Sequence, residues 1–231
     1  VVFNMNVNDT ERKETFIPAV AMRGIVVFPK MVIHFDIARE KSIKAIETAV
    51  KSDRKIFLSA QKDTLIENPE PDDIFKIGVV AEIRQTLRTP DNVLRVLVEG
   101  LYKARIDSFG DSSDYLKVHV KKMLNYSRSK VNETELIAVV RSVKDIFERY
   151  TYYIPRMPKD LVESVLEQND PYLVFENIAY NVNLDYADLQ SLLEENNIFI
   201  RLSMLFGFLV KEVEVLELEN KIQEQVKDNI N

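Results

Sequence analysis

From Ile77 to Ile106 the chain alternates apolar and polar residues with a period of two on both sides of a turn, a pattern that no helix satisfies. In Ile77-Gly78-Val79-Val80-Ala81-Glu82-Ile83-Arg84 the odd positions are apolar, while Glu82 and Arg84 fall on the other face. Thr89-Pro90-Asp91-Asn92 supplies a reversal, with Pro setting φ and Asp and Asn bonding back to the local backbone. Beyond it, Leu94, Val96 and Val98 point one way and Arg95 and Glu99 the other. Gly100 interrupts the run before Tyr102, Ala104 and Ile106 alternate with Lys103 and Arg105. The pattern predicts antiparallel strands with one buried face. It carries no catalytic constellation, so it predicts a scaffold.

The flanking segments add shorter elements. Residues 1–15 are polar and without period, which predicts a loose arm, and the first residue is Val instead of Met, which implies that this end was set by something other than initiation. Phe16–Val20 and Ile25–Phe28 read as short strands hinged at Gly24, and Met31–Phe35 continues extended. Ala38–Ser52 reads as a helix with Ile43, Ile46 and Val50 inward, and Lys55–Ala60 as a buried strand. Pro69 and Pro71 keep Glu67–Asp73 out of any sheet interior, and Leu116, Val118 and Val120 mark one more strand.

Near Asn125 the period changes from 2 to 3.6. Asn132 followed by Glu135 is a capping signal, after which Leu136, Val139, Val140, Val143, Phe147 and Tyr150 share one helical face. Further helices are predicted from Pro158 to Gln168, from Asp170-Pro171 onward, and from Asp185 to Glu195. From about Asn197 a helix of ~30 residues follows, ~45 Å long. Phe206, Leu209, Val213 and Leu216 form one stripe on it, and Val215, Leu218, Ile222 and Val226 a rotated one. Its second half, rich in Glu, Lys and Gln, is expected to project beyond the core, and with no glycine cap before Asn231 it reads as continuing. The expected architecture is α+β, with a β-rich lobe over residues 16–124 and a helical lobe over residues 125–231.

Composition excludes several function classes. The 231 residues, 46% hydrophobic and 29% charged, suit a globular protein. A net charge of -6 weighs against nucleic acid as the main partner. There is no cysteine, hence no disulfide framework and no thiolate metal site. No apolar run reaches the ~20 residues of a membrane span, and no signal-peptide pattern opens the sequence; a cytoplasmic location is the expectation.

Several motifs together resemble the N-terminal domain of the ATP-dependent Lon protease, of the bacterial LonA type. They are Ile17-Pro18, Met22-Arg23-Gly24-Ile25-Val26-Val27-Phe28-Pro29, Met31-Val32-Ile33 and Arg39-Glu40-Lys41-Ser42. Further on come Ala60-Gln61-Lys62-Asp63, Asp73–Ala81, Thr89-Pro90-Asp91-Asn92, Val96–Leu101, Gln190–Glu194 and Arg201-Leu202. The sequence departs from the family pattern at Ala21, where a second proline is common, and at His34-Phe35, where Pro-Leu is common. The resemblance implies a PUA-like, mostly antiparallel β lobe followed by a helical bundle that ends in a long projecting helix. It also implies a role in capturing unfolded or degron-bearing proteins and in stabilising a ring, usually hexameric. The ATPase module, with its ATP and magnesium, and the Ser–Lys peptidase module lie outside these residues. None of the five glycines opens a Lys-Ser/Thr phosphate loop, so the fragment is expected to be non-catalytic and to hold no cofactor of its own. A stand-alone Lon-like interaction or adaptor domain is the alternative.

Two candidate sites follow. Phe28, Pro29, Met31 and Phe35 combine a flexible thioether with rigid aromatics, a mixture that accepts many apolar sequences. Part of that loop is expected to be exposed and to touch unfolded substrate, core packing being the alternative. Arg39, Glu40 and Lys41, at a helix start, could contact a neighbouring subunit or charged degron residues, or simply be solvated. His34 and His119 lie far apart and form no metal set, Glu212, Glu214, Glu217 and Glu219 read as a solvated helix face, and Tyr150 reads as closing a helix core with Tyr152 and Tyr153 covering the junction before Pro155, a recognition surface being the alternative.

Overall fold

A computed structural model describes residues 15–111 and 114–230, with backbone only for 228–230; the expected arm over residues 1–15 lies outside the described residues apart from Thr15. The predicted hairpin is there: β4 (Ile77–Arg88) and β5 (Leu94–Phe109) pair antiparallel along nearly their whole length. Asn92 closes the turn in the left-handed region (φ 61), its N–H bonded to the Thr89 carbonyl at 3.1 Å.

Around this hairpin stand β1 (Ile17–Met22), β2 (Val32–Ile37), β3 (Lys55–Ala60) and β6 (Leu116–Lys122). The order is β2-β5-β4-β3-β1-β6, and β6 also pairs with β5, so five of the six strands close into a ring. The 16 residues of β5 make this possible: its first half pairs with β2 and its second half with β6. Only β1 and β3 run parallel. The helix α1 (Glu40–Val50) supplies the crossover between β2 and β3 and buries Ile43, Ala45, Ile46 and Ala49.

Three expectations are corrected here. The sheet buries both faces instead of one: Val79, Ala81 and Ile83 join one apolar cluster and Val80 the other, as do Ile56 and Phe57 of β3. Closure of the ring and the helices outside it cover both faces over the middle of the sheet, while Arg84, Arg95 and Arg105 stay exposed. Second, Ile25–Phe28 is extended but is not a strand. Gly24, at φ +68, turns the chain off the sheet, and Val26, Val27 and Phe28 are buried in the large apolar cluster shared by strands and helices. Third, the expected interruption takes the form of a register shift that pairs Val80 with Tyr102 and Ala81 with Gly100, and β5 continues through Gly100. A Cβ there would stand 2.2 Å from the Phe28 carbonyl oxygen, so glycine is needed for close backbone approach, not for a break.

The helices are α2 (Glu133–Tyr152), α3 (Lys159–Glu167), α4 (Pro171–Ala179), α5 (Tyr186–Glu194) and α6 (Ile198–Ile230). Their starts follow the capping chemistry of the sequence. Asn132 Oδ1 accepts from the N–H groups of Thr134 (2.9 Å) and Glu135 (3.2 Å). Asp170 does the same for Tyr172 and Leu173, and Asn197 for Phe199 and Ile200. In α6 the buried stripe is Leu202, Leu205, Leu209 and Val213; Phe206, one position off it, is 36% exposed. Beyond Val213 the helix leaves the core, and Val215, Leu218, Ile222 and Val226 stand exposed.

Candidate functional site

The sheet and the helices meet in one joint where almost every polar group is paired. The 28–31 loop enters it from the sheet side. Phe28 packs edge-on against Phe175 of α4 at 6.2 Å and against the tilted ring of Tyr180 at 5.2 Å. The Tyr180 hydroxyl donates to the Pro29 carbonyl at 2.6 Å. Lys30, forced into the left-handed region (φ 68), reaches Glu176 with Nζ 3.2 Å from both carboxylate oxygens. Tyr126 donates its hydroxyl to the same carboxylate at 3.2 Å. Burial pushes the phenols of Tyr126 and Tyr180 well above their ordinary range, with the Glu176 carboxylate adding to it.

Two cations converge deeper in. Lys103 of β5 donates from Nζ to the Leu193 carbonyl at 2.9 Å and to Asn196 Oδ1. Arg201 of α6 donates from Nε to the Leu192 carbonyl (2.6 Å) and from Nη2 to that of Leu193 (3.2 Å), and it also bonds Asn125. The Arg201 guanidinium lies between the rings of Tyr126 (4.9 Å) and Phe175 (4.7 Å). Both cations therefore satisfy the orphan carbonyls at the end of α5, where the helix dipole is negative. Burial, followed by the nearby Arg201 charge, lowers the Lys103 ammonium from 10.5 to about 8. Burial likewise lowers Arg201.

Neither cation stood out as functional in the sequence. The alternation of Lys103 with Tyr102 and Ala104 predicts the wet face of its strand; the residue is fully buried because α5 covers that face. For Arg201 a signal exists: a charged residue one position before Leu202, at the head of the buried stripe of α6. What it pairs with could not be read from sequence spacing.

The predicted site residues separate in the structure. Phe28, Pro29 and Phe35 are buried, and of the four candidates only Met31 reaches the surface in part. Arg39 turns inward, donating to the Ala21 carbonyl (3.3 Å) and to Gln61 Oε1 (2.5 Å). Burial lowers the Arg39 guanidinium, as does the neighbouring Arg23. Glu40 is exposed, and Lys41 pairs at the surface with Glu70 at 3.3 Å. Tyr150 is buried and its hydroxyl accepts from the Asn183 N–H, whereas Tyr152 is 80% exposed. Of the glutamates on α6, Glu217 pairs with Arg149 at 2.9 Å. His34 is exposed, and His119 lies 3.5 Å from Asp107; no set of three or more metal-ligating side chains occurs among the described residues. No helix among them is long and apolar enough to cross a membrane.

Among several open concavities, two differ in setting. One, of about 430 Å³, lies between α2 and the start of α4 and is lined by Leu136, Ile137, Val140 and Pro171. The other, of about 240 Å³, separates β2 from the end of β1 and is lined by Met22, Arg23, Ile25, Phe35 and Ile37.

Comparison with known proteins fits this geometry. Residues 17–211 match the family described as the ATP-dependent protease La (LON) substrate-binding domain. The Lon protease of Desulforamulus reducens is 41% identical over 91% of this chain, and that of Escherichia coli 36% identical over 96%. The chain spans only 26% and 28% of those two relatives. Among solved structures, the N-terminal domain of Mycobacterium avium complex Lon protease superimposes with a TM-score of 0.66 at 20% identity, covering 85% of this chain and 98% of that one. A Lon N-terminal domain protein from Xanthomonas campestris gives 0.56 at 17% identity, covering 84% and 98%. With the match running from β1 into α6, the chain belongs to the family of Lon substrate-binding domains.

Proposed function

We infer that this domain captures unfolded or degron-bearing proteins and presents them to ATPase and peptidase modules of a Lon protease, which lie outside this sequence. The family match over residues 17–211 carries that reading. The paired joint supports it physically, because it fixes sheet and helices as one platform on which weak contacts can be arrayed. Apolar anchors worth ~1–3 kcal/mol each, repeated around a ring of subunits, hold an unfolded chain by avidity and still release it when it is pulled. Within the first candidate loop Met31 is the accessible anchor, beside Val32, which is 62% exposed. Glu40 and Lys41 offer exposed charge to a neighbouring subunit or to charged degron residues. The chain itself performs no chemistry in this reading; ATP and magnesium serve the motor.

Binding of unfolded casein and of a folded control protein, measured by fluorescence anisotropy with the purified chain, tests the reading. Binding of the unfolded protein alone is expected, with Met31→Ser weakening it several-fold. Equal binding of both would remove the substrate-capture role, and turnover of ATP or casein by the chain alone would remove the non-catalytic one.

A further inference from the structure

The sheet has one edge without a strand partner among the described residues. β2 pairs with β5 from Val32↔Glu99 to Ile37↔Leu94, and nothing pairs along its other side. Backbone N–H and C=O groups on that side are open to an extended partner. Across the gap β6 pairs with β1 only from Ile17 to Ala19, so the rest of β1, although its side chains are buried, has no strand on that side among the described residues. Just past that point the Ala21 carbonyl takes its hydrogen bond from the Arg39 side chain, a side-chain substitute for a missing strand. The 240 Å³ slot lies between these two strands, with Met22, Ile25, Phe35 and Ile37 on its apolar wall.

Charge adds a preference. The one carboxylate in the wall, Asp36, is held by Arg95 through bonds of 2.8 and 2.9 Å. Arg23 is exposed, donates only a long 3.5 Å bond to the Ile66 carbonyl, and has no carboxylate partner among the described residues. On a chain of net charge -6 this is a local cation facing an apolar slot. A helical ligand would leave the open backbone groups unmatched; an extended one matches them and points alternate side chains into the slot. The groove beside α2 lacks this feature, because helices line it and offer no open strand edge.

We propose that β2 is a strand-addition site, on which an extended, apolar segment of polypeptide carrying an acidic residue opposite Arg23 adds to the sheet. This rests on the substrate-capture reading and names the conformation and charge that the captured segment must have. It also explains how one surface accepts many sequences: main-chain hydrogen bonds supply sequence-independent affinity, and the slot with Arg23 supplies the preference.

The test uses the whole chain and a fluorescein-labelled peptide of alternating valine and threonine with a central aspartate. Binding is expected to slow amide exchange across residues 32–37 by about tenfold, the open edge having become paired. Arg23→Glu, at an exposed position, is expected to leave the fold intact, to weaken this peptide about tenfold and to favour the version with lysine in place of aspartate. Peptide binding without protection of β2, or without response to the charge swap, overturns the edge assignment. So does failure of the peptide where unfolded casein still binds; in both cases substrate capture survives. Failure of peptide and casein alike overturns both.

Discussion

The joint around Arg201 and the edge at β2 lie in the same molecule and treat polar groups in opposite ways. In the joint, donors meet acceptors: buried Lys103 and Arg201 end α5, Tyr126 and the exposed Lys30 share Glu176, and Tyr180 holds Pro29. At the edge, the side of β2 away from β5 has no strand beside it and Arg23 has no carboxylate partner among the described residues. A buried unpaired group costs ~1–3 kcal/mol, so the joint has to be complete for the fold to persist. At the surface water covers the same vacancy cheaply, so the edge can wait for a partner. The contrast separates what holds the domain together from what the domain has to offer.

The sharpest way to break the comparison is Arg201→Leu. It strips the Leu192 carbonyl and Asn125 of their donor inside the core and leaves the Leu193 carbonyl only Lys103, and a loss of about 3 kcal/mol is expected in urea unfolding. A loss below ~0.5 kcal/mol would mean that the joint is not what holds sheet and helices together. Gly100→Ala comes next. Its Cβ would meet the Phe28 carbonyl, backbone that is itself pinned by the Lys30 N–H to Gly100 carbonyl bond of 2.8 Å, so about 1–3 kcal/mol is expected from the same measurement.

Lys103 sharpens the comparison through pH. Its ammonium is lowered in the fold, so between about 8 and 10.5 the unfolded chain binds more protons, and stability contributed at this group rises with pH. The tyrosines pull the other way above pH 10, their raised phenols losing stability as pH climbs. Unfolding midpoints measured from pH 8 to below 10 should therefore show a rise in the parent that Lys103→Met abolishes. Smallest of all, Arg23→Glu should change stability by less than ~0.5 kcal/mol, since it touches only the edge. A larger loss would move Arg23 out of the binding surface and into the fold.

The sequence made parts of both regions legible. Capping residues Asn132 and Asp170 placed the helix starts because that chemistry is local, and the period-two run placed β4 and β5 to within a few residues. It misassigned Ile25–Phe28, whose apolar run suits a strand equally well, because the bend at Gly24 and the aromatic partners on α4 lie far off in the chain. Candidate residues chosen for their chemistry fared unevenly for the same reason. Phe28 and Phe35 are anchors, but of the core, and Arg39 is a cation turned to the protein's own backbone.

What the residues decided unaided was local: periods, caps, turns, the absence of cysteine, and the α+β succession. Where those elements meet was decided by tertiary structure, which buried Lys103 beneath α5, fitted Arg201 between two rings and left β2 at the end of its sheet. The reason is that burial and pairing depend on neighbours distant in sequence, and an alternating pattern records that one side of a strand is covered without recording by what.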